Sequence, residues 1–531
     1  MKNILNKTLM LFALVILFTS CESTDLELQV NPLSLSPESA NPDFLLNGML
    51  LGTATQHVTL SFLTSSTVRQ VNQFGTYTNN IQGFTDTSMN GAWVSNYQLM
   101  SNLNLLKEYS VDRNLPHHIG VAQILNAFQM LNLVDYIGTA TYSQAVQPDL
   151  YPRPGLDSGE SIYAEMVILL EEGITNLHQT AAYTHADSFY NGDLTKWEKL
   201  ANSLLIRLYV QSRKAANFDA VVASQKINSI VTSGMYISNE DEDFQIQFGT
   251  QDTNPDNRHP FFTANYLGAP SLYMSNYFMD KLLFDKSVED PRLKHYIYRQ
   301  TNVAPTGGFV NDCLSGNSGG SPCYVGNGYW GRIHADETGI PNDNLLRATY
   351  GAYPAGGAFD NNDAVSVLNV SNMGGAGIHP MITSTLMHFL LAEAVLTIPG
   401  VTGNAATYLD NAMQASFTKV SNFTGVTMNN VAAYKTEVLG DYNGSVNVES
   451  KLEIIITESH LAMFGNGVEP YNAYRRTGYP TFNDSFQNAG SFPRSMFMPK
   501  SELDSNDNPD MVQKLLTDQV FWDTNSAGFI D

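Results

Sequence analysis

The sequence predicts a mainly α-helical protein, built as stacked helical hairpins of the tetratricopeptide type with a large irregular, loop-rich insertion. Three observations predict this class. Amphipathic segments of about 15 to 20 residues, joined by short turns, follow one another before residue 235. Residues 235–378 are rich in Gly, Asn, Pro and Asp, and helical patterning resumes in residues 379–531. A strict ~34-residue repeat is not found, so the hairpin stacking is an architectural inference.

Residues 1–20 are predicted to be a lipoprotein signal peptide. Lys2 and Lys7 precede an uninterrupted apolar run from Leu9 to Phe18, which is too short to cross a bilayer permanently. The run ends in Leu-Phe-Thr-Ser-Cys, which resembles a bacterial lipobox. We therefore expect Cys21 to become the first mature residue and to carry acyl chains that anchor the protein in a membrane. The alternative is an ordinary signal peptide followed by an incidental cysteine.

Residues 21–42 are predicted to form a lipidated flexible tether, because they are polar and have little apolar surface with which to fold. Glu22, Asp25 and Glu27 follow the cysteine directly. Such an acidic run looks like the export tag that directs some lipoproteins to the outer face of the outer membrane. A plain solvated linker is the alternative.

Charge and composition narrow the classes of partner. The chain has a net charge of −23, and its first 20 residues hold two lysines and no acid, so the remainder carries −25. A surface this acidic argues against nucleic acid and against adhesion to anionic lipid. Aromatic residues make up 11% of the chain and include 26 tyrosines, which suit wet binding surfaces because each has an apolar face and a polar tip.

The helices are predicted from their apolar periodicity. In the N-terminal part, residues 43–234, they cover residues 91–110, 118–136, 161–177, 194–214 and 218–232. One helix is expected in the insertion at Ser271–Phe284, and others begin near Thr383 and cover residues 405–416 and 449–464. Asp193 is a plausible N-cap of the clearest helix. Trp93 and Trp197 lie on apolar stripes and are expected in the core.

Several long motifs, in order along the chain, carry a resemblance to a known family. They are LVDYIGTATYSQAVQP (Leu133–Pro148), the helix Asp193–Lys214 with its Ala-Asn-Ser-Leu, the run ESHLAMFGNGVEPYNAYRRTGYPTF (Glu458–Phe482) and, less tightly, Pro493–Asn508 and Val520–Asp523. With these motifs the chain resembles the SusD/RagB family of outer-membrane lipoproteins, in particular its second, SusD-like branch.

The resemblance implies a function and a partner. A tetratricopeptide-like scaffold would carry a ligand-binding part, and the protein would capture oligosaccharide outside the cell and deliver it to a SusC-like TonB-dependent outer-membrane transporter. It would face the extracellular side, touch the membrane through its lipid anchor only, and perform no covalent chemistry. Two alternatives remain open within this picture. In the first alternative, the protein binds a peptide instead of an oligosaccharide. In the second, the chain is a structural subunit of the transporter with no strong ligand binding of its own.

Aromatic residues of the insertion are the predicted ligand contacts, because sugars lay flat C–H faces on aromatic rings. The candidates are Trp330, Tyr329, Tyr273 and Tyr277, with Phe261, Phe262, Arg332, Asp336 and Asn342 as further members. Tyr273 and Tyr277, four apart on the predicted helix, would project together. Cys313 and Cys323 are expected to form a local disulfide that pins the neighbouring loop. The alternative is that Trp330 and Tyr329 pack that loop against the helices.

No catalytic, metal or cofactor site is predicted. Gly316–Gly320 fits G-x-S-x-G and Gly326–Gly331 fits G-x-G-x-x-G, but neither lies between a strand and a helix. The Asp504–Asp510 run has a proline where a calcium loop needs glycine. Arg475 and Arg476, beside Glu469 and Glu458, are interpreted as structural ion pairs and caps rather than as ligand contacts. A surface hydrolase is therefore the least favoured function.

Overall fold

Six long helices build the N-terminal part of the chain in a computed structural model. The structure describes residues 41–72, 80, 83–183, 185–268, 272–302, 324–335, 346–482, 489–526 and 528–530. The predicted lipidation of Cys21 and the predicted Cys313–Cys323 disulfide lie outside the described residues, as do Asp336 and Asn342. These assignments stay predictions.

The six helices follow one another as packed neighbours. They are α1 (Pro42–Ser65), α2 (Asn90–Arg113), α3 (Pro116–Ile137), α4 (Gly159–Leu177), α5 (Leu194–Ser212) and α6 (Ala220–Ser233). Each packs against the next, α1 on α2 through to α5 on α6, as in a stack of helical hairpins. Asp193 caps α5 as predicted, because its Oδ1 accepts hydrogen bonds from the backbone N–H of Thr195 (2.9 Å) and Lys196 (3.2 Å). Among the described residues, no helix is both long and apolar enough to cross a bilayer.

Helix α3 is the centre of this stack and carries a buried polar stripe. Its residues from Gly120 to Ile137 are buried on all sides. Gln129 donates to the Thr53 hydroxyl on α1 at 2.9 Å, and Gln123 donates to Glu172 on α4 at 2.9 Å. Because a buried polar group must find a partner, these bonds fix how α1 and α4 sit on α3.

Asp135, near the end of α3, is fully buried and accepts the largest number of hydrogen bonds among these polar groups. Its carboxylate accepts hydrogen bonds from the Tyr163 hydroxyl, from Arg207 Nη2 (3.0 Å), from Asn472 Nδ2 (3.1 Å) and from Trp522 Nε1 (3.0 Å). The donors come from four separate parts of the chain, so this one carboxylate joins the N-terminal helices to the C-terminal segments.

The insertion is made of short elements. The helices among its described residues are α7 (Pro260–Tyr266), α8 (Asn276–Phe284) and α9 (Leu293–Tyr296). The described strands of the chain are β1 (Val71–Asn72), β2 (Thr139–Ala140), β3 (Asp157–Ser158), β4 (Phe244–Gln247), β5 (Tyr273–Met274), β6 (Ile297–Tyr298), β7 (Tyr324–Gly326), β8 (Tyr329–Trp330), β9 (Thr349–Tyr350) and β10 (Ile378–Ile382). They pair antiparallel as β1–β5, β2–β3, β4–β10, β6–β9 and β7–β8. The β4–β10 pair joins the two ends of the insertion.

Helices return after β10. They are α10 (Ser384–Thr397), α11 (Ala405–Thr424), α12 (Val431–Gly444), α13 (Val448–Ala462), α14 (Val468–Thr477) and α15 (Lys500–Ser505). Helix α10 packs on α5 and α14 packs on α1 and α5, so the C-terminal helices share one core with the N-terminal stack. The predicted mainly α-helical class is confirmed.

A stack of aromatic rings holds the insertion on the C-terminal helices. Phe261 lies on Tyr350 with ring centroids 4.5 Å apart, Tyr350 lies on Phe464 at 5.1 Å, and Phe464 lies on Phe278 at 5.0 Å. Phe261 is 2% exposed, and Phe262 stacks on Tyr266 and is 4% exposed. Both phenylalanines therefore belong to the packing of the insertion, and neither presents a ring to solvent.

Buried ion pairs surround α14, although the pairing differs from the one predicted. Arg476 binds both carboxylate oxygens of Glu393 (2.7 and 2.8 Å), and Glu469 binds Arg207 (2.6 Å). Arg475 donates instead to backbone carbonyls, that of Asp135 at 2.7 Å among them. The structural role of these arginines agrees with the sequence interpretation. The predicted pairing of the arginines with Glu469 and Glu458 was wrong. The actual partners, Glu393 on α10 and Arg207 on α5, are far from α14 in the sequence.

Glu458 on α13 lies apart from those arginines. It accepts from the Tyr434 hydroxyl at 3.1 Å and lies 3.7 Å from Arg292 and 3.8 Å from Lys286. Burial raises the pKa of Glu458 to about 7, and the two nearby cations only partly oppose that rise. Its folded-state pKa is therefore above its unfolded value. The stabilisation that follows from this is present below pH 4.5 and is lost as the pH rises through about 7.

We therefore expect Glu458→Gln to gain stability relative to the parent protein as the pH rises from 5 to 8. The amide removes the cost of ionising a buried carboxyl, which is worth about 1.4 kcal/mol per pKa unit. For the shift from 4.5 to about 7 this is about 3.4 kcal/mol in total, of which about 2.5 kcal/mol develops between pH 5 and pH 8. Thermal unfolding midpoints across that pH range measure the effect. Glu108→Gln, on the exposed end of α2, is the matched control and should show no trend. A difference between Glu458→Gln and parent that stays constant with pH would contradict the assignment.

Candidate functional site

The four aromatic residues predicted to bind ligand are all buried. Tyr329 is 1% exposed, Trp330 2%, Tyr273 1% and Tyr277 5%. In the described structure these rings are covered by protein and pack inside the insertion. For Trp330 and Tyr329, packing was the alternative interpretation. Their role as ligand contacts stays a prediction.

Neighbouring side chains explain the burial. The Arg299 guanidinium lies 4.5 Å from the Tyr329 ring centroid, and the Tyr329 hydroxyl donates to Asp360 at 3.4 Å. The Trp330 carbonyl accepts from the Ala348 N–H at 3.0 Å, which fixes β8 against the chain before β9. These contacts place Tyr329 and Trp330 inside a small layer of strands.

Tyr273 and Tyr277 do not lie on one helix, contrary to the prediction. Tyr273 is in β5, where the Arg347 guanidinium lies 4.1 Å from its ring centroid. Tyr277 is in the first turn of α8, packs edge-on against Phe482 with ring centroids 5.2 Å apart, and donates its hydroxyl to the Thr481 carbonyl at 3.3 Å. The helix begins only at Asn276 because the preceding residues pair with β1, so the two rings point to different surroundings.

The described structure has an open cleft elsewhere, where the helical stack meets the base of the insertion. Its volume is about 950 Å³, at the upper end of the range of small-molecule sites. It is lined by Leu51, Ser188, Phe189, Tyr190, Asn191, Lys196, Glu240, Asp241, Asp243, Gln245, Ile246, Gln247 and Asn422. Most of these side chains are polar.

Asp187 shapes the first wall of the cleft, which is the loop before α5. Its Oδ1 accepts from the N–H groups of Phe189 (2.9 Å) and Tyr190 (2.6 Å), and its Oδ2 accepts from the N–H of Gly192 (2.8 Å) and from Trp197 Nε1 (3.1 Å). Burial alone would raise the pKa of Asp187, but these donors and His185 hold it well below the usual range. A permanently ionised carboxylate thus keeps the loop curled around it.

Helix α1 braces the same loop from outside. Asn47 Nδ2 donates to the Ala186 carbonyl at 2.8 Å, and Asn47 Oδ1 accepts from the Ser188 N–H at 2.9 Å. Leu51, one helical turn further on, lines the cleft and is 59% exposed. The rim of the cleft on this side is therefore part of α1.

The opposite wall is the acidic turn Glu240–Glu242 and strand β4. Glu242 points inward, accepting from Lys199 and from the Ser238 N–H (2.8 Å), whereas Glu240 and Asp241 border the cleft. Asn422 Nδ2 donates to Glu240 at 2.8 Å, and Lys196 Nζ lies 3.5 Å from the Asp241 carboxylate. Asp241 is therefore exposed to solvent at the cleft, whereas Glu242 is buried.

Asp243 and Lys419 close the bottom of the cleft. Lys419 Nζ lies 2.7 Å from Asp243 Oδ2, and Asp243 Oδ1 accepts from the Ser384 N–H at 2.6 Å. Burial raises the pKa of Asp243 in spite of this lysine. The lysine is 4% exposed and is committed to this pair, so the accessible lining is dominated by amides and by the Glu240 and Asp241 carboxylates.

This lining is suited to a ligand with many hydroxyl groups. Amides such as Asn191 and Gln247 both donate and accept hydrogen bonds, and the carboxylates accept them from hydroxyls. Leu51, Phe189 and Ile246 add apolar surface between the polar groups. Cleft walls of this kind can hold a sugar by its hydroxyls and its C–H faces. Sequence reasoning missed the cleft because its residues come from four separated segments, although the acidic run at residues 239–244 was a visible signal.

A helical scaffold with an irregular insertion and a polar cleft at their junction defines a class of binding protein. Two family models match this chain. The SusD-like model described as starch-binding and associating with the outer membrane matches residues 34–322, which is more than half of the chain. The model described as SusD and RagB outer membrane lipoprotein matches residues 360–517. The chain belongs to the SusD-like family.

Solved structures show the same fold at low sequence identity. A SusD homologue from Bacteroides fragilis has a TM-score of 0.67 and 20% identity, covering 92% of this chain and 100% of its own. A structure titled chitin-binding protein has the same TM-score and identity, with 91% and 100% coverage. A SusD homologue from Bacteroides uniformis has a TM-score of 0.65 and 20% identity, again with 91% and 100% coverage. A search of curated proteins found no match.

Proposed function

We propose that this chain is a cell-surface nutrient-binding lipoprotein that captures oligosaccharide and delivers it to a SusC-like TonB-dependent outer-membrane transporter. The observation that carries the proposal is the open cleft of about 950 Å³ with its amide and carboxylate lining. Family membership supports it, since the matching models are described as starch-binding and as outer membrane lipoproteins. One structure of the same fold is a chitin-binding protein.

The proposal also covers the membrane anchor and the separate roles of this protein and the transporter. Acyl chains on Cys21 would hold the protein on the outer face of the outer membrane, and energised import would be the transporter's task. The protein itself would bind and release ligand without making or breaking a covalent bond. Trp330 and Tyr329 do not line the cleft. They would contact a ligand only if it also bound at their part of the insertion.

Calorimetric titration tests the binding function. The protein beginning at Glu22 would be titrated with chitotetraose, with maltoheptaose and with a mixture of short peptides. We expect binding of at least one oligosaccharide, because the cleft lining matches hydroxyl-rich ligands. Binding of peptides alone would redirect the function to peptide uptake. No binding by folded protein, together with recovery of a transporter from native membranes, would indicate a structural subunit.

A further inference from the structure

One exposed face of the helical stack carries no charge. This α1–α2 surface consists of the solvent-facing side chains of residues 44–62 on α1 and 91–104 on α2. Eleven of the 33 residues in these two ranges are exposed, and neither the exposed residues nor the partly buried ones include an Asp, Glu, Lys or Arg. In a chain with a net charge of −23, a two-helix face without charges is a distinct feature.

The surface is apolar as well as uncharged. Phe44 is 78% exposed, Leu51 59%, Phe62 50% and Val94 45%. The first three are 7 and 11 residues apart, so they return to the same face of α1 and extend along about 27 Å at 1.5 Å per residue. Gln56 Nε2 donates to the Ala92 carbonyl at 3.0 Å and the Ser95 hydroxyl donates to the Gly52 carbonyl at 3.3 Å, which makes α1 and α2 antiparallel neighbours in one continuous face.

Such a face has the composition of a protein interface. Interface cores are depleted of charged residues and enriched in large apolar and aromatic ones, and exposed apolar patches of this kind mark interaction sites. An anionic lipid surface would be met through lysines and arginines, which this face lacks. A protein partner with its own uncharged, apolar face fits best.

The position of the face points to one partner. Leu51 belongs both to the α1–α2 surface and to the cleft, and Asn47 of α1 holds the cleft loop at Ser188. A protein seated on α1 would therefore stand at the mouth of the cleft. In addition, α1 begins 21 residues after Cys21, a reach of at most about 75 Å, so a lipid anchor at Cys21 would hold the protein within that distance of the outer membrane, where the transporter lies.

We propose that the outer-membrane transporter docks on the α1–α2 surface, with an apolar, uncharged extracellular face of its own. This inference rests on the proposed function, and it adds the surface through which the cleft's ligand would pass to the partner. Ligand leaving the cleft past Leu51 would meet the docked transporter directly.

Affinity purification of the full-length, tagged lipoprotein from detergent-solubilised native outer membranes tests the inference. The variant Phe44→Glu/Thr55→Glu places two charges on the exposed line of α1 and changes no residue of the cleft. The control Leu150→Glu/Val221→Glu places two charges at exposed apolar positions elsewhere, which are 72% and 63% exposed. We expect the TonB-dependent transporter recovered with the parent protein, identified by mass spectrometry, to fall at least tenfold with the first variant and to be unchanged with the control. Unfolding midpoints and oligosaccharide titrations should be equal for all three proteins.

Each other outcome overturns the inference in a recognisable way. Undiminished transporter recovery with Phe44→Glu/Thr55→Glu would reject the surface and leave the proposed function intact. No transporter with the parent protein would reject the partnership and the surface together, whereas oligosaccharide titration would still report on binding. A parent dimer in sedimentation equilibrium that the variant abolishes would assign the face to a second copy. Flotation with phosphatidylethanolamine–phosphatidylglycerol vesicles, lost in the variant, would assign it to lipid.

Discussion

Asp135→Ala is expected to destabilise the protein by at least about 4 kcal/mol. The carboxylate accepts hydrogen bonds from Tyr163, Arg207, Asn472 and Trp522, all inside the core. Removing it leaves these donors without that acceptor and leaves Arg207 with Glu469 as its only anionic partner within ion-pair distance among the described residues. Breaking a buried ion pair costs roughly 3–5 kcal/mol, and unsatisfied buried donors add about 1–3 kcal/mol each.

Thermal unfolding and the yield of soluble protein measure this effect. A failure to recover folded protein would count in the same direction as a large fall in the unfolding midpoint. Asp112→Ala, at an exposed position near the end of α2, is the control and should change stability by less than about 0.5 kcal/mol. Asp135→Asn should also be strongly destabilising, because its amide N–H₂ would face donors. A loss below about 1 kcal/mol for Asp135→Ala would contradict the role given to this carboxylate.

Gln247→Trp is expected to weaken oligosaccharide binding at least 100-fold, or about 2.7 kcal/mol. Gln247 is exposed at the end of β4 and lines the cleft. An indole at this position would occupy space that the ligand needs and would remove an amide that both donates and accepts, and we expect these two losses to outweigh any stacking of a sugar on the indole ring. The side chain is outside the core, so the unfolding midpoint should stay within about a degree of the parent value.

Titration with chitotetraose and maltoheptaose measures the loss for whichever sugar the parent protein binds. Gln147→Trp, at an exposed position outside the cleft, is the matched control and should bind as the parent does. Trp330→Phe completes the set, because it alters the predicted contact in the insertion while keeping an aromatic ring in the core. Full binding by Gln247→Trp with loss in Trp330→Phe would move the site from the cleft to the insertion.

Most helices were predictable because their apolar residues recur at helical spacing. The predicted segment 194–214 is α5 at Leu194–Ser212, and the predicted segment 118–136 is α3 at Pro116–Ile137. Helix α1 was not predicted as a helix. Its 24 residues contain two glycines and several threonines, and apolar side chains occur on both its buried and its exposed faces. Packing against α2 and α3 overrides that weak local preference.

The candidate site was much less predictable than the fold. Aromatic residues in a Gly-rich region suggested a ligand surface, yet Trp330 and Tyr273 lie in the core of the insertion. Exposure is decided by what covers a side chain, and the covering groups here, such as Arg347 and Ala348, follow later in the chain. A composition that suits binding equally suits packing, and local sequence does not separate the two.

The sequence by itself determined the class of this protein: a helical stack with an irregular insertion, and the motifs of the SusD-like family. Those properties depend on local periodicity and on contiguous runs of residues. Only the tertiary structure decided which polar groups meet. It brought Leu51, Asn191, Gln247 and Asn422 to one cleft and gathered four donors around Asp135. The physical reason is that each such site is assembled from segments tens to hundreds of residues apart, whose relative position is set by the packing of the whole core.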